Sequence, residues 1–151
     1  MARKSRKHPV EPSQDKSAQL YKVAIYARLS SETEANRHRE TIETQIEFVN
    51  HFVEEHDDMV LVDIYEDRSY SGTDFDRPGF QQMIDDIRSG KINTVCTKDL
   101  SRLGRNYLET GNLIERVFPF LDVRYIAITD GYDSETSEGD WSIPLKNMVN
   151  E

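Results

Sequence analysis

The feature that most constrains this chain is the alternation of two hydrophobic rhythms. Short β-branched or aromatic runs occur at YKVAIYAR (21–28), MVLVDIYE (59–66), INTVCTK (92–98) and VRYIAIT (123–129). Between them lie segments whose apolar residues recur every three or four positions. The first kind reads as buried strand and the second as amphipathic helix. Ile42, Ile46, Val49 and Val53 make one stripe of a helix from about 38 to 56. Phe80, Met83, Ile84 and Ile87 make the buried face of a helix opened by Pro78 and ended at Gly90. Tyr107, Gly111, Ile114 and Phe118 mark a third helix, stopped near Pro119. The order β-α-β-α-β-α-β predicts an α/β fold: a mostly parallel sheet of four or five strands, right-handed crossovers, and helices on both faces. Asp130-Gly131 then turns the chain into a polar loop.

The 151 residues suffice for one domain with its own core. Residues 1–20 are polar, lack periodicity and contain Pro9 and Pro12, which reads as a disordered basic arm. The domain proper is expected over 21–140. The closing LKNMVNE reads as a helix just beginning, so 141–151 is expected to start a connecting or oligomerisation helix. No apolar run approaches the length of a membrane span, and no apolar stretch follows the basic N-terminus as a secretory signal requires. The single cysteine, Cys96, lies inside a strand and reads as a buried, inert thiol; with no partner for a disulfide, it fits a reducing cytosol.

Net charge is −9, and without residues 1–20 the remainder holds 14 basic and 26 acidic residues, a net of −12. A body so acidic binds an anionic polymer only if it concentrates its arginines at one place and borrows affinity from another module.

In an open parallel sheet, ligands sit beyond the carboxyl ends of the strands. The first strand runs into Tyr26, Arg28, Ser30 and Ser31; the second into Asp67, Arg68, Ser69, Ser71 and then Arg77; the third into Asp99, Ser101, Arg102 and Arg105. Hydroxyls and arginines thus converge on one edge. Guanidinium groups packed together repel unless an anion sits among them, and their planar forks match phosphate oxygens. A hydroxyl set among them points to phosphoryl transfer, in which the protein positions groups and stabilises charge. No GxxxxGK[ST] or GxGxxG loop is present, so a nucleotide cofactor is not expected. His8, His38, His51 and His56 show no ligand spacing and do not fall at strand ends, which disfavours a zinc site or a Ser-His-Asp triad. Asp67, Asp74, Asp76 and Asp99 lie near the edge and leave a magnesium site open.

Each residue also has a plainer reading. Ser30 at a strand end is by default a helix cap, and Ser31 competes with it as a nucleophile. Arg77 can pair with Asp74 or Asp76. Arg102 and Arg105 can be a solvated turn pair, Ser71-Gly72 a turn, and Trp141 a packing or interface residue.

The motifs YARLS (26–30), YSGTDFDRPGF (70–80), KDLSRLGRNY (98–107) and ITDGYDS (128–134) resemble the catalytic domain of the serine recombinases, the resolvases, invertases and serine integrases. The wording is most similar to the large serine recombinases, and the resemblance covers residues 21–135. It implies a resolvase-like fold and a site-specific recombinase that cuts and rejoins DNA through a covalent 5′-phosphoserine, without a metal or other cofactor. Ser30 falls on the family nucleophile. Tyr26, Arg28, Ser71, Arg77, Arg102 and Arg105 fall on conserved positions, Asp67 on the aspartate before the S-G loop, and Gln45 on a helix glutamine. The group that takes the serine proton stays open, with Asp67 a candidate. Two departures concern neighbouring charges. Ser101 replaces an aspartate found just before the RLGR arginine in small resolvases, with Asp99 two residues earlier. Asp86 stands where they carry a lysine, with Arg88 the nearest base.

The implied partners are double-stranded DNA at recombination sites, a homodimer on DNA and a homotetramer in the synapse, in a cytoplasmic, nucleoid-associated protein of a mobile element. Other readings are a regulatory or assembly domain of the same fold with impaired catalysis, and a metal-dependent phosphoester hydrolase.

Overall fold

A computed structural model describes residues 20–29, 41–68, 77–104, 106–136 and 141–142. Its sheet has five strands: β1 (Tyr21–Leu29), β2 (Met59–Arg68), β3 (Thr94–Thr97), β4 (Arg124–Ala127) and β5 (Tyr132–Asp133), in the spatial order β2-β1-β3-β4-β5. The first four are mutually parallel, as expected, and β5 runs antiparallel to β4. This last strand starts directly after the Asp130-Gly131 turn, where the sequence suggests only a loop. It pairs through Ile126↔Asp133 and Ala127↔Tyr132. The expected arm over 1–20 and the expected helix over 141–151 lie outside the described residues, apart from Leu20, Trp141 and Ser142.

Helix α1 (Ile42–Glu54) begins at a reciprocal cap: Thr41 Oγ1 accepts from the Thr44 amide at 3.1 Å, and Thr44 Oγ1 accepts from the Thr41 amide at 2.9 Å. Its Val49 and Val53 pack with Val23, Ile25, Met59, Cys96 and Ile126 on one face of the sheet. On the other face lie α2 (Pro78–Arg88) and α3 (Tyr107–Asn112) with its continuation. Phe80, Met83, Ile84, Ile87, Ile114 and Phe118 there join Ala24, Tyr26, Tyr65 and Tyr125. The continuation of α3 widens into a π-helical stretch, Leu113–Val117, before a last turn, α4 (Phe118–Phe120). The Phe118 amide reaches back to the Leu113 carbonyl, and the helix ends at Phe120, beside Pro119 as expected.

Because β1 is flanked by β2 on one side and β3 on the other, the chain reverses its direction of travel across the sheet at β1. That topology opens a crevice beyond the carboxyl ends of β1 and β3. The core of β1, Val23 to Ala27, is fully buried. The register of β1 on β2 slips between Val23↔Leu61 and Ala24↔Asp63, leaving Val62 as an extra residue. Met59 and Leu61 face α1, whereas Val62 and Tyr65 face α2. The extra residue therefore turns the later half of β2 over and aims Asp67 at the start of α2.

Candidate active site

The sequence RPGF (77–80) sets the first half of the site. Pro78 occupies the first turn of α2, where its missing N–H costs nothing. A Cβ on Gly79 would lie 2.4 Å from the Glu66 carbonyl oxygen, so only glycine lets the helix start sit this close to β2. Asp67 supplies the cap that Arg77 does not: its carboxylate accepts from the amides of Gly79 (2.8 Å) and Phe80 (2.9 Å). The same carboxylate accepts a third bond, 2.7 Å long, from the Tyr26 hydroxyl. Tyr26 is fully buried, and burial, reinforced by Asp67, pushes its pKa up against the pull of Arg77. Its hydroxyl therefore stays protonated and donates.

Arg77 lies across this pair. Its Nε and Nη2 donate to the Tyr26 oxygen at 3.2 and 3.0 Å, and Nη2 also reaches the Leu103 carbonyl at 2.8 Å. Nη1 meets Glu109 Oε1 at 3.1 Å. The guanidinium carbon stands 4.3 Å from the Phe80 ring centroid and 5.2 Å from that of Tyr26. Pairing with Asp74 or Asp76, the plainer sequence reading, falls outside the described residues. The ion pair that is described is with Glu109.

Arg28 and Arg102 form the second half, across the crevice between β1 and β3. Arg28 Nε donates to the Arg102 carbonyl (3.3 Å) and Nη2 to that of Ser101; Arg102 Nη1 in return donates to the Arg28 carbonyl at 3.0 Å. Gln45, reaching over from α1, holds Arg28 from behind: its Nε2 donates to the Arg28 carbonyl at 3.2 Å, and its Oε1 accepts from the Arg28 amide. Burial, followed by the like charges of Arg77 and Arg102, lowers the Arg28 pKa. Even so, a guanidinium there stays protonated.

The turn Leu100–Arg102 and the two residues after it thus act as a rack of carbonyls for Arg28 and Arg77. Two aspartates fasten the rack. Asp99 Oδ1 accepts from the amide and hydroxyl of Ser101 and lies 3.5 Å from Arg102 Nε. Asp130 Oδ2 accepts from the Leu100 amide at 2.7 Å. Asp99 therefore supplies a carboxylate beside Arg102 although Ser101 stands in the expected position. Asp86 belongs elsewhere, bonded to the Tyr65 hydroxyl and paired with Lys91.

Of the residues singled out in the sequence, the structure brings together Tyr26, Asp67 and Arg77 in one hydrogen-bonded chain, and Arg28, Arg102 and Gln45 in another. The Arg102 carbonyl, which accepts from both Arg28 and Arg77, links the two. Ser30, Ser31, Ser71 and Arg105 lie outside the described residues. Glu109 is the residue that sequence reasoning missed. A signal was present: Asn106 caps α3 by accepting from the Glu109 amide at 2.9 Å, the spacing that puts an acidic side chain in the first turn. Among the described residues no three His, Cys, Asp or Glu side chains cluster as metal ligands. His51 pairs with Glu55 on α1, and His56 bonds the Phe52 carbonyl. Trp141 packs on Tyr107 with ring centroids 5.1 Å apart. No helix among the described residues is long and apolar enough to cross a membrane.

A family model described as the resolvase N-terminal domain matches residues 23–151. The N-terminal catalytic domain of TP901-1 integrase superposes with a TM-score of 0.68 at 28% identity, covering 85% of this chain and 93% of that one. A resolvase-family site-specific recombinase from Streptococcus pneumoniae gives 0.65 at 28% identity, with 86% of each chain covered. The C-terminal catalytic domain of ISC1926 TnpA, an IS607-like serine recombinase, shares the fold at 19% identity and a TM-score of 0.57, over 85% of this chain and 78% of that one. No curated protein sequence matches significantly. The family match spans all four parallel strands and every helix that builds the arginine crevice, and by it the chain belongs to the resolvase family of serine recombinases.

Proposed function

We propose that this domain cuts and rejoins DNA at specific sites, with Ser30 as nucleophile and a 5′-phosphoserine bond as intermediate. The observation that carries the reading is the meeting of Arg28, Arg77 and Arg102 at the carboxyl edge of the sheet, where β1 ends at Leu29 and Ser30 follows in the chain. The Ser30 hydroxyl attacks a phosphodiester, forms one phosphoester and releases a 3′ hydroxyl. Reversal by a partner strand's 3′ hydroxyl restores the DNA. One ester replaces another, so no nucleotide hydrolysis is needed. Arg28, Arg77, Arg102 and Arg105 hold the phosphate and the charge that builds on its oxygens, and Ser71 is assigned to the same site by its motif.

Tyr26 and Asp67 act through Arg77. The three bonds already accepted by Asp67 favour a positioning role over that of proton acceptor. The substrate is double-stranded DNA, the working unit a dimer on each site and a tetramer in the synapse, and the setting the cytoplasm, at the nucleoid of a cell that carries a mobile element. The domain proper spans 21–140.

The test is to mix the protein with its site DNA, stop the reaction early with denaturant, and resolve protein–DNA adducts on a gel. An adduct that is present with the parent and absent with Ser30→Ala is expected. Hydrolysed DNA with no adduct at any time would replace this reading with simple phosphoester hydrolysis.

A further inference from the structure

The arginines of the crevice are not idle in the absence of DNA. Arg77 is engaged through all three nitrogens: Nε and Nη2 are bound to Tyr26 and the Leu103 carbonyl, and Nη1 to the Glu109 carboxylate. The two members of the ion pair differ in position. The Arg77 side chain is only 11% exposed, whereas that of Glu109 is 38% exposed. Glu109 therefore stands on the solvent side of a buried cation. Its backbone is fixed by the Asn106 cap in the first turn of α3, which sets where the side chain starts. A carboxylate and a phosphate offer a guanidinium the same paired oxygens, so one anion can take the other's place.

We propose that Glu109 is the internal counter-anion of the crevice, seated on the Arg77 edge that a DNA phosphate takes during the reaction, so that substrate binding exchanges one anion for the other. This rests on the reading of Arg77 as a phosphate ligand. Glu109 is in this view a positioning residue. It keeps Arg77 folded into its buried seat while no phosphate is present, and it sets the threshold that a phosphate must overcome. Arg28 and Arg77 both donate to the Arg102 carbonyl, so the two cations stand close together and a nearby carboxylate offsets their repulsion. Asp99 already faces Arg102, and Glu109 is the carboxylate that faces Arg77 between turnovers.

The probe is inorganic phosphate, titrated into the whole chain at ionic strength held constant with sodium chloride. The reporter is the Arg77 Nε–H resonance, assigned by its loss in Arg77→Lys. Glu109→Gln keeps the size of the side chain and an oxygen that can accept from Arg77, and glutamine is favoured in the first turn of a helix. Glu109→Ala gives an independent reading without that oxygen. The expected result is half-saturation at a phosphate concentration roughly threefold or more below that of the parent in both variants, the scale of a part-exposed ion pair. Equal or weaker phosphate binding in the variants overturns the role of Glu109 and leaves Arg77 as a phosphate ligand. A resonance that phosphate moves in none of the proteins removes Arg77 from the anion site and takes this proposal with it.

Discussion

The hydroxyl of Tyr26 is one oxygen atom doing three tasks: it donates to Asp67 and accepts from two nitrogens of Arg77. Tyr26→Phe keeps the ring, which packs edge-on against Phe80 with centroids 5.5 Å apart. It leaves a buried carboxylate short of one donor and a buried guanidinium short of one acceptor. The expected cost is about 1–3 kcal/mol, read as a lower urea midpoint at unchanged slope. An unchanged midpoint would mean that water fills the gap and that the hydroxyl is not needed for the fold. Asp130 makes a prediction of a different kind. Burial, with Asp99 beside it, raises its pKa, while the Leu100 amide pulls the other way. The folded protein thus holds the Asp130 proton more tightly than the unfolded chain does. Stability then falls as pH rises from the ordinary carboxylate range through the raised folded value, and the cost stays constant above it. Asp130→Asn keeps an acceptor for Leu100 and does not titrate. The difference in unfolding free energy between variant and parent should therefore shift in the variant's favour as pH rises through that window. A difference that is flat with pH would refute the assignment.

At the scale of elements, α1 and α2 are started by different means. The cap of α1 is local, Thr41 with Thr44, and is readable three residues apart. The cap of α2 comes from Asp67, ten residues before Arg77 along the chain and on another element. Thr41→Ala is expected to cost about 1 kcal/mol, and Asp67→Ala at least about 2 kcal/mol, because the latter strands the Gly79 and Phe80 amides and the Tyr26 hydroxyl together. Hydrogen exchange should show the Asp67→Ala loss concentrated at those two amides. Uniformly faster exchange would instead assign Asp67 to global stability.

This contrast shows what the residue order can disclose. The four parallel strands and the stripes of α1 and α2 are legible because period and composition are local properties. The two-residue β5 exists only by pairing with β4, and no pattern of its own announces it. The end of the third helix near Pro119 was legible, but its π-helical stretch, Leu113–Val117, is a shift to wider hydrogen bonding that apolar spacing does not reveal. The site follows the same rule. The arginines were legible as a convergence at strand ends. The extra residue Val62 that aims Asp67 and the approach of Glu109 to Arg77 arise from tertiary register.

For the molecule as a whole, charge decides how it meets a polyanion. The chain carries −9; residues 1–20 hold five of its 19 basic side chains, and Arg28, Arg77 and Arg102 meet in the crevice. The crevice arginines are largely buried: Arg77 and Arg102 each expose 11% of their side chains, and both are bonded to protein oxygens. A surface that is negative overall, with exposed cations such as Arg68 and Lys91 already paired to carboxylates, releases few counterions on binding. Residues 1–151 are therefore expected to bind duplex DNA weakly, with affinity falling only gently as salt rises. The slope of log affinity against log salt should correspond to about two or three phosphate contacts rather than the six to ten of a dedicated DNA reader. Deleting residues 1–20 should take most of that slope away, because those residues hold five basic side chains against two acidic ones and the remainder carries −12. Mobility-shift titrations of both lengths across a salt series make the measurement. Tight binding with a steep slope in the shortened chain would show that the crevice opens readily to DNA, and that the buried arginines, not a separate module, carry the affinity.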